Sequence, residues 1–282
     1  MRSAHLFSRH NSWNTEITHM YSGLMNHYPN HSLPSQGFQF EAEQFFETLE
    51  NSSPDSLTAC FGWTAHEVVA HLTAACLEVA LNLEAYGAGE QVPPTRSFEE
   101  REAPFWVMDD PLLRSELPKS ISRMSKALDA VLMSEPDAVV PWTGRQMVVK
   151  TFATHLRSEF AIHRFDLVGD DDIGNELLAQ PELTLHAVTV LGKPLLQRGS
   201  KSQISPCHAV IGSPGTFDIM VIVDDQGTRM LVSEQASEPS VIGDPAARLL
   251  FLWGRRPSDP SRLSAPAGSK VLSDLQKLLA GY

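Results

Sequence analysis

The spacing of apolar residues changes once along this chain, and the change separates two kinds of structure. Up to Gly199, apolar residues recur every three or four positions, the period of helices that bury one face. Beyond it, residues 217–233 alternate between apolar and polar around a turn, which predicts a β-hairpin. We therefore predict an α plus α+β fold: a helical bundle over residues 37–199, then a small α+β domain over residues 200–282.

Five helices are predicted before the change in spacing. They cover residues 38–49, 64–87, 112–133, the stretch from just after residue 143 to residue 169, and residues 181–196. The second begins with Thr64 and Glu67, the spacing of a capping box, in which each side chain binds a free backbone N–H of the first turn. We expect it to end at Gly87, because glycine adopts positive φ easily.

Prolines and caps mark the other boundaries. Residues 88–111 contain four prolines and are predicted to form a long connection, a candidate cover for an active site. Pro118 is expected to start or kink the third helix. Asp244 and Pro245 form an N-cap followed by proline, which predicts a helix up to Gly254. A last amphipathic helix is predicted over residues 269–279.

The composition excludes several functions. The net charge of −12 leaves no basic surface for nucleic acid. No apolar run is long enough for a membrane span or a signal peptide, so we expect a cytoplasmic protein without a membrane partner. The cysteines are Cys60, Cys76 and Cys207, and their odd number and wide spacing fit neither a disulfide framework nor a zinc ribbon. Residues 1–36, rich in His, Ser and Asn, are expected to be a loosely ordered tail.

A carboxylate and two imidazoles are predicted to meet inside the bundle. Glu159 and His163 lie about 40° apart on the inward face of the fourth helix, and His71 lies on the inward face of the second. A buried carboxylate needs a partner, and this donor set suits a divalent ion such as zinc with one open position. The alternative is that Glu159 pairs with Arg157 or Arg123 and both histidines are ordinary core residues.

Two neighbours of these residues have open roles. His155 shares the face of Glu159, where it supports the site or simply serves as a surface or capping residue. Asp166 follows His163 by about one turn of the helix. It orients the ring of His163 or of His71 through a hydrogen bond, as metal-bound histidines usually require, or it is simply solvated on the helix surface.

Three segments of the chain resemble one known family. They are GWTAHEVVAHLTAA at 62–75, HLRSEFAIHRFDLVG at 155–169 and DPAARLLFLWGRR at 244–256. They resemble the mycothiol-dependent maleylpyruvate isomerase family, over about residues 38–260. The resemblance implies a DinB-like four-helix bundle joined to a C-terminal domain similar to sterol-carrier folds. It also places the family's metal ligands on His71, Glu159 and His163.

The resemblance implies an enzyme that uses mycothiol, or another low-molecular-weight thiol, together with the metal. A metal-bound thiol loses its proton near neutral pH and becomes a nucleophile. If the thiolate adds to a cis double bond conjugated with carbonyl groups, the enzyme is an isomerase; if it displaces a leaving group, the enzyme is an S-transferase. The sequence leaves both open. The alternative is a non-catalytic module that binds a small molecule and has a structural metal.

The resemblance also draws attention to an arginine in the C-terminal domain. Arg255 and Arg256 follow directly after Gly254, and the WGR-like segment of the family matches Arg255. We expect Arg255 to reach across the cleft toward an anionic substrate or the thiol, with Asp166 as the second catalytic candidate. The alternative is that both arginines complement the negative end of the preceding helix.

Overall fold

The structure is a computed structural model that describes residues 37–198, 204, 206–233 and 238–280. The predicted N-terminal tail lies outside the described residues. The bundle contains, in chain order, α1 (Gln39–Glu50), α2 (Ala65–Gly87), α3 (Phe98–Trp106), α4 (Asp110–Ser134) and α5 (Phe152–Val168). Helix α2 packs mainly on α4, and α1 packs on α5, around one apolar cluster.

The predicted start of α2 is confirmed, and its end differs in detail. Thr64 and Glu67 form both hydrogen bonds of the capping box. Gly87 is the last helical residue, but the positive φ of 71° occurs two residues later, at Gly89. By length and composition α2 is apolar enough to cross a membrane, yet most of it is buried inside the protein, as expected for the central helix of a bundle.

Three other expectations for the bundle are wrong. The predicted connection over residues 88–111 contains α3, because Ser97 and Glu100 form a second capping box that starts a helix among the prolines. Pro118 lies inside α4 and does not start it, whereas the alternative expectation of a kink at Pro118 stays a prediction. The fourth predicted helix does not begin just after residue 143: the chain there forms a hairpin of β1 (Val139–Trp142) and β2 (Arg145–Val148), with positive φ at Thr143 and Gly144 in its turn, and α5 begins only at Phe152.

The predicted fifth helix is also divided, and a short helix precedes it. The chain forms α6 (Asp172–Leu178), α7 (Pro181–Thr189) and α8 (Gly192–Arg198). Apolar residues of these helices, and of the second half of α5, belong to the same buried cluster as the C-terminal sheet. The domain boundary near residue 199 therefore stays a prediction, since the packing crosses it.

The C-terminal part is a five-stranded sheet covered by helices. Its strands are β3 (Cys207–Gly212), β4 (Asp218–Asp224), β5 (Gly227–Ser233), β6 (Val241–Gly243) and β7 (Leu263–Ser264), in the order β5-β4-β3-β6-β7. All neighbouring strands are antiparallel except β3 and β6. The predicted hairpin is β4 and β5, whereas β3 was missed.

The two predicted C-terminal helices are confirmed. Helix α9 (Pro245–Leu252) begins where Asp244 accepts a hydrogen bond from the backbone N–H of Ala247, and α10 (Ser269–Leu279) has the predicted bounds. The predicted fold class, a helical bundle followed by a small α+β domain, is confirmed.

Candidate metal centre

The three predicted metal ligands meet inside the bundle. His71 of α2 and Glu159 and His163 of α5 are all buried, and each offers a donor atom within 4.8 Å of the others. Oε2 of Glu159 lies 3.6 Å from Nε2 of His71 and 3.4 Å from Nε2 of His163. Ligands about 2.0–2.1 Å from a tetrahedral zinc ion are about 3.3 Å apart, so the donor set fits this metal.

Each histidine is fixed through its other ring nitrogen. Nδ1 of His71 lies 2.7 Å from Oε1 of Glu102, and Nδ1 of His163 lies 2.8 Å from Oδ2 of Asp166. Because a carboxylate only accepts hydrogen bonds, Nδ1 of each ring donates to its carboxylate. Nε2 of each ring faces Glu159 and is the nitrogen that could bind a metal there, since metal-binding histidines are usually oriented through their other ring nitrogen.

The ion pairs of the two arginines exclude the predicted pairing of Glu159 with Arg157 or Arg123. Arg157 pairs with Glu41 and Glu182, and Arg123 pairs with Glu84, so neither arginine neutralises Glu159. Burial favours a raised pKa for Glu159, but its contacts with the histidines outweigh burial and hold the pKa well below its usual value. The carboxylate is therefore ionised and suited to a cation.

His155 also lies beside the site. Its Nε2 is 3.5 Å from Oε1 of Glu159 and accepts a hydrogen bond from Nε1 of Trp142 at 3.3 Å. The ring is buried, which rules out the surface role that was one of the two interpretations of the sequence. Its neighbour His186 is buried too, and burial, followed by the charge of His155, lowers the pKa of His186 well below its usual value.

Asp166 contacts His163, and Arg255 in turn binds Asp166. The guanidinium group of Arg255 makes two hydrogen bonds to Asp166, from Nε at 2.9 Å and Nη2 at 2.7 Å. Burial favours a raised pKa for Asp166, but Arg255 first and His163 second lower it to about 2. The expectation that Arg255 reaches toward substrate stays a prediction: its side chain is buried against Asp166 and also donates to the carbonyl oxygen of Trp253.

A cavity of about 140 Å³ opens beside the ligands. It is lined by His71, Ala75, Phe98, Arg101, Trp142, Thr143, Arg145, His155, Glu159, Leu191, Pro194, Leu195 and Trp253. Phe98 and Arg101 come from α3, the segment that the sequence indicated as a cover without showing which residues it contributes. Arg145 comes from the hairpin that was not predicted. The cavity therefore combines apolar walls with two cationic side chains.

The sequence analysis missed Glu102 and Trp63. Trp63 precedes α2, and its ring lies 5.1 Å from that of His71 and stacks at 6.1 Å on that of His163. Glu102 was missed because α3 was not expected to be a helix. The capping box of Ser97 and Glu100 is the signal in the sequence that identifies this helix.

Comparison with known proteins bears on these residues. Residues 41–168 match the sequence model of the Mycothiol maleylpyruvate isomerase N-terminal domain, a stretch that contains all three candidate ligands. The predicted family resemblance is confirmed. Within this domain the candidate ligands lie on the second and fifth helices of the bundle.

Two solved structures have a similar fold. One is the mycothiol-dependent maleylpyruvate isomerase, with a TM-score of 0.57, and the other is a histidine-to-alanine mutant of such an enzyme, with a TM-score of 0.58. Each is 16% identical to this chain, and the match covers 84% of this chain and 92% of the other. At this identity the likeness shows the fold. Among curated protein sequences, none matches this chain.

Proposed function

We propose that this chain is a metal-dependent enzyme that activates a low-molecular-weight thiol of the mycothiol type and adds it to a small electrophile. The observation that carries the proposal is the pair of Nε2 atoms, which lie 3.6 and 3.4 Å from the same oxygen of Glu159, next to a cavity. A zinc ion held by His71, Glu159 and His163 would lower the pKa of a bound thiol from about 8.5, so that the thiolate would form at neutral pH.

The residues of the cavity suit a small electrophile that carries a carboxylate. Arg101 and Arg145 place two cationic groups in the wall, and the guanidinium group of Arg101 lies 4.5 Å above the ring of Phe98. Trp142 and Trp253 add apolar surface that excludes water. In such surroundings an arginine binds a carboxylate strongly, because the charges are poorly screened.

Two reactions use this arrangement, and their atoms balance differently. In an isomerisation the thiolate sulfur bonds to one carbon of a cis double bond, and the electron pair of that bond moves to the conjugated carbonyl oxygen. After rotation, the pair returns and the thiolate leaves, giving the trans isomer and the free thiol. In an S-conjugation the sulfur stays on the product and a leaving group departs. We propose isomerisation first, because both similar structures are named as maleylpyruvate isomerases.

Zinc-loaded protein, mycothiol and maleylpyruvate test this proposal. We expect conversion of maleylpyruvate to the trans isomer only when the thiol is present, and the change in ultraviolet absorbance measures this conversion. The mass of the recovered thiol is expected to be unchanged. The Glu159→Gln variant is expected to lose metal and activity together. A product that keeps the sulfur indicates an S-transferase. Zinc binding without any thiol binding would contradict both reactions and support the non-catalytic alternative.

The thiols of the protein are not expected to take part. Cys76 is fully buried, and burial, followed by the charge of Glu159, raises the pKa of its thiol. A variant with Cys60, Cys76 and Cys207 all replaced by Ser is expected to keep its zinc content and turnover, with lower stability from the change at Cys76. Loss of turnover in a folded, zinc-loaded triple variant would point to a protein thiolate instead.

A further inference from the structure

Helix α3 is attached to the bundle by few side chains. It has nine residues, and only Arg101, Glu102 and Phe105 are buried. Among the helices of the described structure it packs mainly on α2. A helix this short is unstable by itself, so its position depends on these contacts. Two of the three buried side chains are charged, which is unusual for the inner face of a helix.

The buried carboxylate of this helix contacts a candidate metal ligand. Oε1 of Glu102 accepts the hydrogen bond from Nδ1 of His71 at 2.7 Å, and Nε of Arg101 lies 3.6 Å from the same oxygen. Glu102 is 1% exposed. A buried carboxylate is stable only while its partners hold it, so the contact with His71 contributes to the docking of α3.

We propose that Glu102 is a positioning residue for His71 and that it couples the docking of α3 to metal binding. The proposal rests on the proposed metal site. A cation at Nε2 of His71 withdraws electrons from the ring and strengthens the hydrogen bond that Nδ1 donates to Glu102. Coupling between two events is reciprocal, so docked α3 raises metal affinity by the factor by which the metal favours docking.

The coupling has a consequence for the cavity. Phe98 and Arg101 both belong to α3, and both line the cavity beside His71. Metal binding therefore completes the wall on which substrate binds. In the metal-free protein α3 spends more time away from α2, so the wall is open for a larger share of the time.

Metal affinity tests the positioning role. Competition with a chromophoric zinc chelator gives the affinity of the wild type, Glu102→Gln and Glu99→Gln. The first variant keeps the size of the side chain but not its charge; the second makes the same change at an exposed position of the same helix. We expect Glu102→Gln to bind zinc roughly 10- to 100-fold more weakly. We expect Glu99→Gln to match the wild type. Equal affinities for the two variants would overturn the positioning role.

Hydrogen–deuterium exchange tests the coupling, first in the wild type. We expect peptides of α3 to exchange faster in metal-free wild type than in zinc-loaded wild type, while α7 serves as an internal control for general loosening. In the Glu102→Gln variant, the difference in exchange rate of α3 between the metal-free and the zinc-loaded protein is expected to be smaller. Unchanged exchange at α3 in a protein that binds zinc tightly would overturn the coupling and leave the proposed function intact. A wild type that binds no zinc would overturn both.

Discussion

The two histidines of the candidate metal site present the same atom but are held by different parts of the chain. His71 is oriented by Glu102, which belongs to the short, mostly exposed helix α3. His163 is oriented by Asp166 of its own helix, and Arg255 of the C-terminal part binds Asp166 through two hydrogen bonds. One ligand thus depends on a peripheral helix, and the other on a buried network.

The surroundings make this difference larger. Just after α5, Asp170 accepts hydrogen bonds from the backbone N–H of Ser258 at 2.5 Å and from Nη1 of Arg262 at 2.5 Å. The segment that follows α9 is therefore fastened to the end of α5 at more than one point. We infer that the His163 side of the site is preorganised by tertiary contacts, whereas the His71 side is adjustable through α3.

The largest expected effect comes from removing both histidines. This comparison assumes that they bind one ion together, so His71→Ala with His163→Ala is expected to abolish stoichiometric zinc binding. Metal analysis after dialysis measures the bound ion. The matched control is His66→Ala, because His66 lies on the same helix as His71 but pairs with Asp110 instead of facing the site. Full zinc occupancy in the double variant would contradict the shared site.

The second effect concerns the two orienting carboxylates. Asp166→Ala leaves Arg255 buried without its carboxylate, and such a loss costs about 3–5 kcal/mol of unfolding free energy. Glu102→Ala is expected to lower the free energy of unfolding by less. Helix α3 can detach from the bundle and become hydrated, so the loss cannot exceed the free energy with which this helix docks. Urea denaturation of the metal-free variants measures both. A larger loss for Glu102→Ala would reverse the assignment of the rigid and adjustable sides.

The sequence predicts the preorganised side better than the adjustable one. Glu159, His163 and Asp166 lie within two turns of one helix, so their common face follows from helical periodicity. The capping box of Thr64 places His71 with similar certainty. By contrast, Glu102 and Arg145 reach the site through α3 and the hairpin of β1 and β2. Those elements are stabilised by packing against the bundle. The prolines in and near them make the sequence pattern look like that of a loop.

Arg255 shows a second limit of the sequence. The sequence shows that it follows Gly254 at the end of a predicted helix and matches the WGR-like segment of the family. Its partner was not foreseen, because the pairing joins residues 89 positions apart in the chain. A spacing rule within one helix carries no information about a contact of this kind. The direction in which a side chain points from a helix end therefore has to come from tertiary structure.

The third effect is a loss of stability in acid. The pKa of Asp166 is lowered to about 2 from the usual 3.8, chiefly by Arg255 against the effect of burial. A carboxylate with a lowered folded-state pKa stabilises the protein above its unfolded-state pKa, and this contribution disappears as the pH falls from about 4 to about 2. The shift corresponds to about 2 kcal/mol. In metal-free protein, the stability difference between wild type and Asp166→Asn is expected to narrow over this range. A difference that stays constant would contradict the ionised pair.

The smallest expected effect is that of Arg255→Lys, and it separates an orienting role from a substrate-binding one. Lysine keeps the positive charge beside Asp166 but cannot make the two parallel hydrogen bonds of the guanidinium group. The orientation of Asp166, and through it of His163, is then less exact, so zinc affinity is expected to fall by less than about 10-fold. Chelator competition measures the affinity, and the absorption spectrum of the cobalt-substituted protein reports the ligand geometry directly.

The control is Arg262→Lys. Arg262 lies on the same segment after α9 as Arg255, but it pairs with Asp170 and Asp244 and does not contact Asp166. If Arg255 bound substrate instead, Arg255→Lys would raise the KM and leave both zinc affinity and the cobalt spectrum unchanged.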